Sequence, residues 1–519
     1  MTSGKTRVAL AGVALGFVAA TMLFLPRLGI EADEAMIGNG IFEHGAPWYS
    51  WKIGANEIPV MLIGYLGALK TWLFNPYFLA VRPGPVSLRL PMAILAAGTL
   101  WLFFALLDRV AGRKAAWIGM LLLATDTSYF LISMMDFGFV VFQFLFKLAA
   151  LILLLRFHES GSRGALAGAF FLLGLALWDK AVFVWVLFGF AVAGGAVYWG
   201  EIRRHLSVRN LAIAAMAMIA GALPLIVYNV ERPLETLRSN AKVGGEPVWG
   251  KAVVLEGTLD GNVLFGFLTA AEPGPKVGEA KHWFQAVALW FADVTRHPHF
   301  NLILPALVLA LGFCWQREIR RPMLFAVICC VATWLAMALT HGAGAAAHHT
   351  ILLWPFPQMI LALAVSRISV KWASAATALL CLANVAVTNQ YYADLLRNGP
   401  AIRWTDAIDS LNRYLAESKA NRIYAADWGF IETLNLISEG DQPVYELDLA
   451  DAANLKGMIA ARDGVFVAHT AEFEILPEWR AAVEAEAKRE GYEEQKLATI
   501  SDLEGRPTFE VFRFRKLHL

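Results

Sequence analysis

Stretches of about 17 to 22 mostly apolar residues recur along this chain, and a run of that length is what an α-helix needs to cross the hydrocarbon core of a bilayer. They fall at 8–26, 88–107, 115–134, 138–155, 165–178, 181–199, 211–230, 301–315, 323–340, 351–366 and 372–388. About eleven transmembrane helices are expected, some with ends uncertain by several residues. Composition agrees, since 58% of residues are hydrophobic and 17% charged, against about 25% charged in a soluble domain. The expected class is a polytopic α-helical membrane protein seated in a lipid bilayer. A net charge of +1 argues against a nucleic-acid partner, which would need Lys and Arg massed against phosphates. The cysteines Cys314, Cys329, Cys330 and Cys381 lie in apolar stretches without C-x-x-C spacing and read as small buried hydrophobes, not as disulfides or a zinc site. Lys5 and Arg7 precede the 8–26 run, which is long for a secretory signal and lacks a clear A-x-A site before Arg27; we read it as a retained first span.

Basic residues in short connections are held on the cytoplasmic side. With the amino terminus inside, every alternate connection carries them: Arg109, Arg113 and Lys114; Arg156 and Arg163; Arg203, Arg204 and Arg209; Arg317, Arg320 and Arg321; Arg367 and Lys371. The opposite connections, around Asp136, Asp179 and His348, hold one lysine, Lys180. The expectation is a multi-pass protein of the cell (inner) membrane with its amino terminus cytoplasmic and all candidate chemistry outside.

Residues 1–389 form the expected transmembrane domain, with long outward loops at 27–87 and 231–300. Within the first loop, 59–74 is apolar but interrupted by Lys70, and is read as one helix lying at the interface. The second loop is expected to carry an amphipathic helix near 281–295. Residues 390–519 alternate strand-like runs (422–426, 444–447, 464–468, 510–514) with helical ones (431–438, 452–461, 478–490). That pattern predicts a soluble C-terminal α/β domain.

Several polar residues stand where such a chain least tolerates them. Asp33 and Glu34 follow the first span; adjacent on a helix they diverge by about 100 degrees, so only one can aim at a given atom. The alternative is an acidic cap on a helix starting near Ala35. If a helix continues from Asp136, then Gln143 and Lys147 share its face within about 20 degrees. That stripe must face protein or water, since a Lys left in hydrocarbon costs about 2.5 to 3.5 kcal/mol. Asp179-Lys180 forms a tight outward turn, where an ammonium suits a lipid-linked phosphate and a local ion pair is the alternative. His348 and His349 enter the tenth span as phosphate donors, metal ligands or a polar helix end. Glu57 is a second candidate loop carboxylate, with a solvated surface acid as its alternative. Tyr49, Trp48 and Trp51 suit sugar stacking or the interfacial aromatic belt.

These patches together resemble a known family. A first span followed by Asp33-Glu34-Ala35, an aromatic-rich loop, Asn56-Glu-Ile-Pro59, and Leu88-Arg-Leu-Pro91 opening the next span resemble the GT-C glycosyltransferases of the protein O-mannosyltransferase and lipid A aminoarabinose transferase type. Asp136 with Phe-Gly-Phe-Val after it resembles the family's second acidic position. Trp178-Asp-Lys-Ala181, the polar-then-apolar entry from His348 to Pro357, and Ala425-Ala-Asp-Trp-Gly429 in the tail resemble later landmarks. Ile58 stands where many relatives have a lysine, so a lysine contact from that loop is not carried over.

The resemblance implies inverting transfer of a sugar from a polyprenyl-phosphate donor to an envelope acceptor: protein, lipid A or another glycan. Asp33 would be the general base, and Asp136 would position the acceptor or assist. Lys180, His348 and His349 would meet the leaving phosphate. Glu34 shares the catalytic motif, and Glu57, Gln143 and Lys147 are candidate substrate contacts. No protein-bound metal or other cofactor is assigned, and a divalent ion assisting the phosphate is left open. Two rival classes remain: a secondary transporter using the intramembrane charges, and a non-catalytic scaffold whose tail binds an envelope partner.

Overall fold

A computed structural model of the protein describes residues 4–42, 45–240, 247–276, 280–418, 420–449 and 451–517. Among these, seven helices are long and apolar enough to cross a membrane: Gly4–Arg27, Pro85–Ala111, Val141–Ser160, Ala181–His205, Val208–Glu231, Arg320–Ala338 and Val370–Arg397. Two further spans, 115–134 and 351–366, are each a bent pair, broken by 61° between Arg113–Thr125 and Thr127–Met135 and by 41° between Ala347–Leu353 and Phe356–Val365. The remaining two apolar stretches, 165–178 and 301–315, form the 17-residue helix Arg163–Asp179 and the short apolar helix Ile303–Phe313. All eleven stretches are thus helical, while seven to nine meet the length of a crossing.

One carboxylate pins the two breaks together. Asp126 caps the second half of the first bent pair by accepting from the Tyr129 amide at 2.8 Å. It also accepts from Trp354 Nε1 at 2.9 Å and Gln358 Nε2 at 2.7 Å across the second break. On the other side of that break, Leu352 offers its carbonyl to Lys147 Nζ at 2.6 Å. A break frees backbone groups that water cannot reach at this depth, and these side chains satisfy them.

The basic connections gather at one end of the bundle. Lys114 Nζ donates to the Ile368 carbonyl, Arg321 pairs with Glu201 at 2.6 Å, and Arg367 reaches Glu318 at 3.4 Å. The acidic loop, the 136–140 turn, the 179–181 turn and the tail domain meet at the other end.

The first long loop departs from the sequence expectation. Instead of one interfacial helix over 59–74, it forms strands Tyr49–Ile53, Asn56–Ile63 and Leu66–Gly67 in an antiparallel sheet, followed by helix Leu69–Phe78. Pro59 and Val60 suit a short strand in a small sheet, and the run had no period to separate strand from helix. The helix expected from Ala35 is one turn, Ala32–Ala35, running into a 3₁₀ segment Met36–Gly40. In the second loop, helix Trp283–Val294 lies where the amphipathic helix was expected.

The tail builds a five-stranded sheet in the order Val444–Glu446, Arg422–Ala425, Gly464–His469, Pro507–Lys516, Tyr492–Ser501, the first three parallel and the last two antiparallel. Apolar residues pack on both faces, Val465, Val467 and Phe509 on one and Phe466, Ala468 and Phe512 on the other, as the alternation of side chains along each strand requires. The sheet domain docks on the acidic loop: Gly29 N–H donates to Trp404 O at 2.8 Å. A Cβ at Gly29 would lie 1.9 Å from the Thr405 carbonyl oxygen, so only glycine permits this approach.

Candidate active site

The acidic motif divides its labour. Glu34 is buried and bound bidentately by Arg89, Nε to Oε1 and Nη2 to Oε2 both at 2.7 Å. Arg89 also donates to the carbonyls of Leu28 at 3.0 Å and Gly29 at 2.6 Å. Its guanidinium lies 5.6 Å from the Trp404 ring. Asp33, one residue away, is half-buried and in none of these bonds through its carboxylate. Burial raises its pKa above the ordinary aspartate value, while Arg403 and Lys180 pull it down. That combination leaves a carboxylate more basic than usual between two cations.

Glu31, which sequence reasoning passed over, closes the loop from behind. It is 1% exposed, caps the short helix by accepting the Asp33 amide through Oε2 at 2.8 Å, and has Arg403 Nη1 3.8 Å from Oε1. Oε1 has no hydrogen-bond partner among the described residues. Burial first, and then the Asp33 charge, push its pKa to about 8, against the opposing pull of the Asp33 amide and Arg403. Because the folded-state value exceeds the unfolded one, Glu31 contributes stability that is full below about pH 4.5 and is lost as pH rises through about 8. The expected result is a melting temperature of the solubilised protein that falls between pH 5 and pH 8.5, with a shallower fall in Glu31→Gln. Equal slopes in the two proteins would refute the assignment of that proton to Glu31.

The helix that carries Gln143 and Lys147 does not continue from Asp136, so the three do not form one stripe. Asp136 sits in the left-handed conformation (φ 50°) at the end of Thr127–Met135, and the next helix begins at Val141. Its Oδ1 accepts the amides of Val140 and Val141 at 2.9 Å each, a charge-stabilised helix start. Its Oδ2 meets Lys70 Nζ at 2.8 Å, with both side chains 1% exposed. Lys70, which broke the apolar run in the sequence, therefore brings a lysine from the first loop to this acid, although Ile58 does not. Gln143 and Lys147 do share a helix face. Gln143 Nε2 donates to Asp179 Oδ2 at 2.5 Å, while Lys147 donates to the Leu352 carbonyl, between the rings of Phe144 and Phe356.

The Asp179-Lys180 turn is held by the first-loop sheet. Trp178 Nε1 donates to Val60 O at 3.0 Å, Ala181 N–H donates to Tyr65 O at 2.9 Å, and Lys180 bridges to Leu66. Lys180 Nζ donates to the Gly138 carbonyl, and Gly138 in turn lies flat against His348, where a Cβ would come within 2.5 Å of the imidazole. The His348 and His349 rings are 4.3 Å apart, and the Nδ1 atom of each is buried without a hydrogen-bond partner among the described residues. The structure thus brings Asp33, Lys180, the 136–138 turn and His348 to one end of the bundle, with Asp179 and Gln143 just beneath. Glu57 lies apart, exposed at the hairpin and 3.4 Å from Lys52. Among the described residues, no group of three or more His, Cys, Asp and Glu side chains is placed to hold a metal ion.

Arg403, brought in by the tail domain, is the main addition. Its guanidinium stacks 4.7 Å over Trp428 and faces both Glu31 and Asp33. Nothing local in the sequence marks it, because its acidic partners lie about 370 positions away. Lys70 and Arg89 carried a signal, each being a charge inside an apolar run.

No family model matches the chain, and no curated protein matches it in sequence. Its structure is similar to that of ArnT from Cupriavidus metallidurans over 98% of both chains, with a TM-score of 0.61 at 11% identity for the crystal structure bound to undecaprenyl phosphate and 0.60 at 13% identity for the apo state. A lesser likeness, TM-score 0.49 at 13% identity, spans 95% of this chain and 70% of the apo Archaeoglobus fulgidus oligosaccharyltransferase.

Proposed function

On the premise that the chain has the GT-C fold, we propose that it transfers a sugar from a polyprenyl-phosphate donor to an envelope acceptor at the membrane's outer face, with inversion. The observation that carries this reading is the juxtaposition of one uncommitted carboxylate, Asp33, with Lys180 and Arg403, in a fold whose ArnT example was crystallised with undecaprenyl phosphate.

In the proposed step, the acceptor hydroxyl oxygen attacks the anomeric carbon. Its proton passes to Asp33, and the bond from that carbon to the phosphate oxygen breaks with its electron pair leaving on the phosphate. The departing polyprenyl phosphate gains a negative charge. Lys180, buried beside the 136–138 turn, with His348 or His349 as hydrogen-bond donor, stabilises that charge where it develops, in the transition state rather than the bound donor. Asp136 shapes the floor: by holding Lys70 and starting the 141–160 helix, it fixes the turn whose Gly138 carbonyl orients Lys180. Outward placement of this end follows from the basic connections at the other end.

The test is turnover by the protein in liposomes supplied with a short-chain polyprenyl-phosphate sugar. Polyprenyl phosphate is expected to accumulate only when an acceptor glycan, lipid or peptide is added. Counterflow of an ion or small solute with no donor turnover would instead establish the transporter reading.

A further inference from the structure

A groove of about 470 Å³ runs between the first helix, Trp283–Val294 and Val370–Arg397, floored by Leu121 and Phe130. None of the acids or cations of the candidate active site lines it. We propose that an anionic phospholipid of the bilayer is seated here, with one acyl chain in the groove and its phosphate at Arg27. This inference does not depend on the proposed enzymatic function.

Three observations lead to that occupant. Along the first helix the groove extends from Val13 to Phe24, which at 1.5 Å per residue is about 16 Å, or roughly half of a 30 Å hydrocarbon core. It therefore has the depth of one leaflet and the length of one chain. Two of its walls, the first helix and Val370–Arg397, are membrane spans by length and composition, so it opens to hydrocarbon. The third wall, Trp283–Val294, carries Trp283, Trp290 and Val294 outside the groove lining, exposed by 78%, 61% and 58%. Those positions form one stripe at helical spacing, which is stable when immersed in lipid, with tryptophans at the level of the headgroups.

The upper end of the groove supplies the charge. Phe24 and Tyr392 close it, and Arg27 stands three residues beyond Phe24, within electrostatic reach of the Tyr392 hydroxyl. Arg27 is half-buried and has no hydrogen bond or ion pair among the described residues. A guanidinium fork without a carboxylate partner, above an apolar slot, is complementary to a phosphate diester above an acyl chain. The groove is open along the first helix, since a Cβ added at Gly16 would meet nothing within 4 Å.

The experiment is native mass spectrometry of the full-length protein released from nanodiscs containing equal amounts of phosphatidylglycerol and phosphatidylcholine. The wild type is expected to retain one phosphatidylglycerol with about fivefold preference, the scale of one basic side chain at an anionic surface. Arg27→Gln should bring the preference to near unity while a lipid is still retained. Ala20→Trp and Val385→Trp, which fill the groove from opposite walls, should each abolish retention, with circular dichroism verifying that each variant is folded. Retention unchanged in both filled variants, or a preference unchanged in Arg27→Gln, would overturn the proposal. Displacement of the retained lipid by equimolar undecaprenyl phosphate would overturn the assignment to a bilayer phospholipid and reassign the groove to a carrier lipid.

Discussion

Replacing Asp33 by asparagine is expected to lower kcat for sugar transfer by about 100- to 10,000-fold, the range a positioned general base contributes. The expectation rests on elimination among the neighbouring acids as much as on position. Glu34 has both oxygens on Arg89, and Asp136 has one oxygen on two helix amides and the other on Lys70. Asp179 is tied to Gln143. Of these four acids, Asp33 is the one whose carboxylate holds no such partner; it is half-buried, and its basicity is raised by burial yet moderated by Arg403 and Lys180. Asparagine preserves the size and the short helix but takes no proton, so donor binding should stay within a few-fold while turnover collapses. Single-turnover assays with radiolabelled donor, alongside direct measurement of donor affinity, separate the two effects. Unchanged turnover in the variant would remove Asp33 from the chemistry, and a loss confined to donor affinity would recast it as a binding residue.

Much of the membrane part could be read from the chain because hydrocarbon imposes a one-dimensional rule: a crossing must be apolar for its whole length. All eleven apolar stretches became helices for that reason. Their breaks were less legible, because Asp126 and Trp354 look like ordinary interruptions until the fold places them on each other. The 59–74 run shows the opposite failure, since an apolar stretch without period does not distinguish strand from helix when a neighbouring strand, Tyr49–Ile53, is available to pair. At the site, Asp33 and Lys180 were visible as charges at the ends of apolar runs. Asp136 was visible too, but its left-handed turn, which separates it from the Gln143 and Lys147 face, was not. Arg403 and Glu31 were hidden because their importance arises from tail docking, a contact across most of the chain length.

The Glu34–Arg89 pair is where the largest loss of stability is expected. Both side chains are out of contact with water, at 1% and 0% exposure, and truncating either one strands a charge that cannot regain its hydration. Arg89→Met and Glu34→Met should each destabilise the protein by about 3 to 5 kcal/mol. The double replacement should lose far less than the sum, because an apolar pair in the same space has no charge left to solvate. Arg89 also holds the carbonyls of Leu28 and Gly29, the backbone that receives Trp404 from the tail, so the single variant should free the tail domain from the acidic loop before the bundle unfolds. Limited proteolysis near residues 398–406, followed alongside thermal unfolding in detergent, reads the two events separately. Strictly additive losses in the double variant would show that the two side chains act independently. In that case the position of Asp33 would have to be set by Glu31 and Arg403 rather than by this pair.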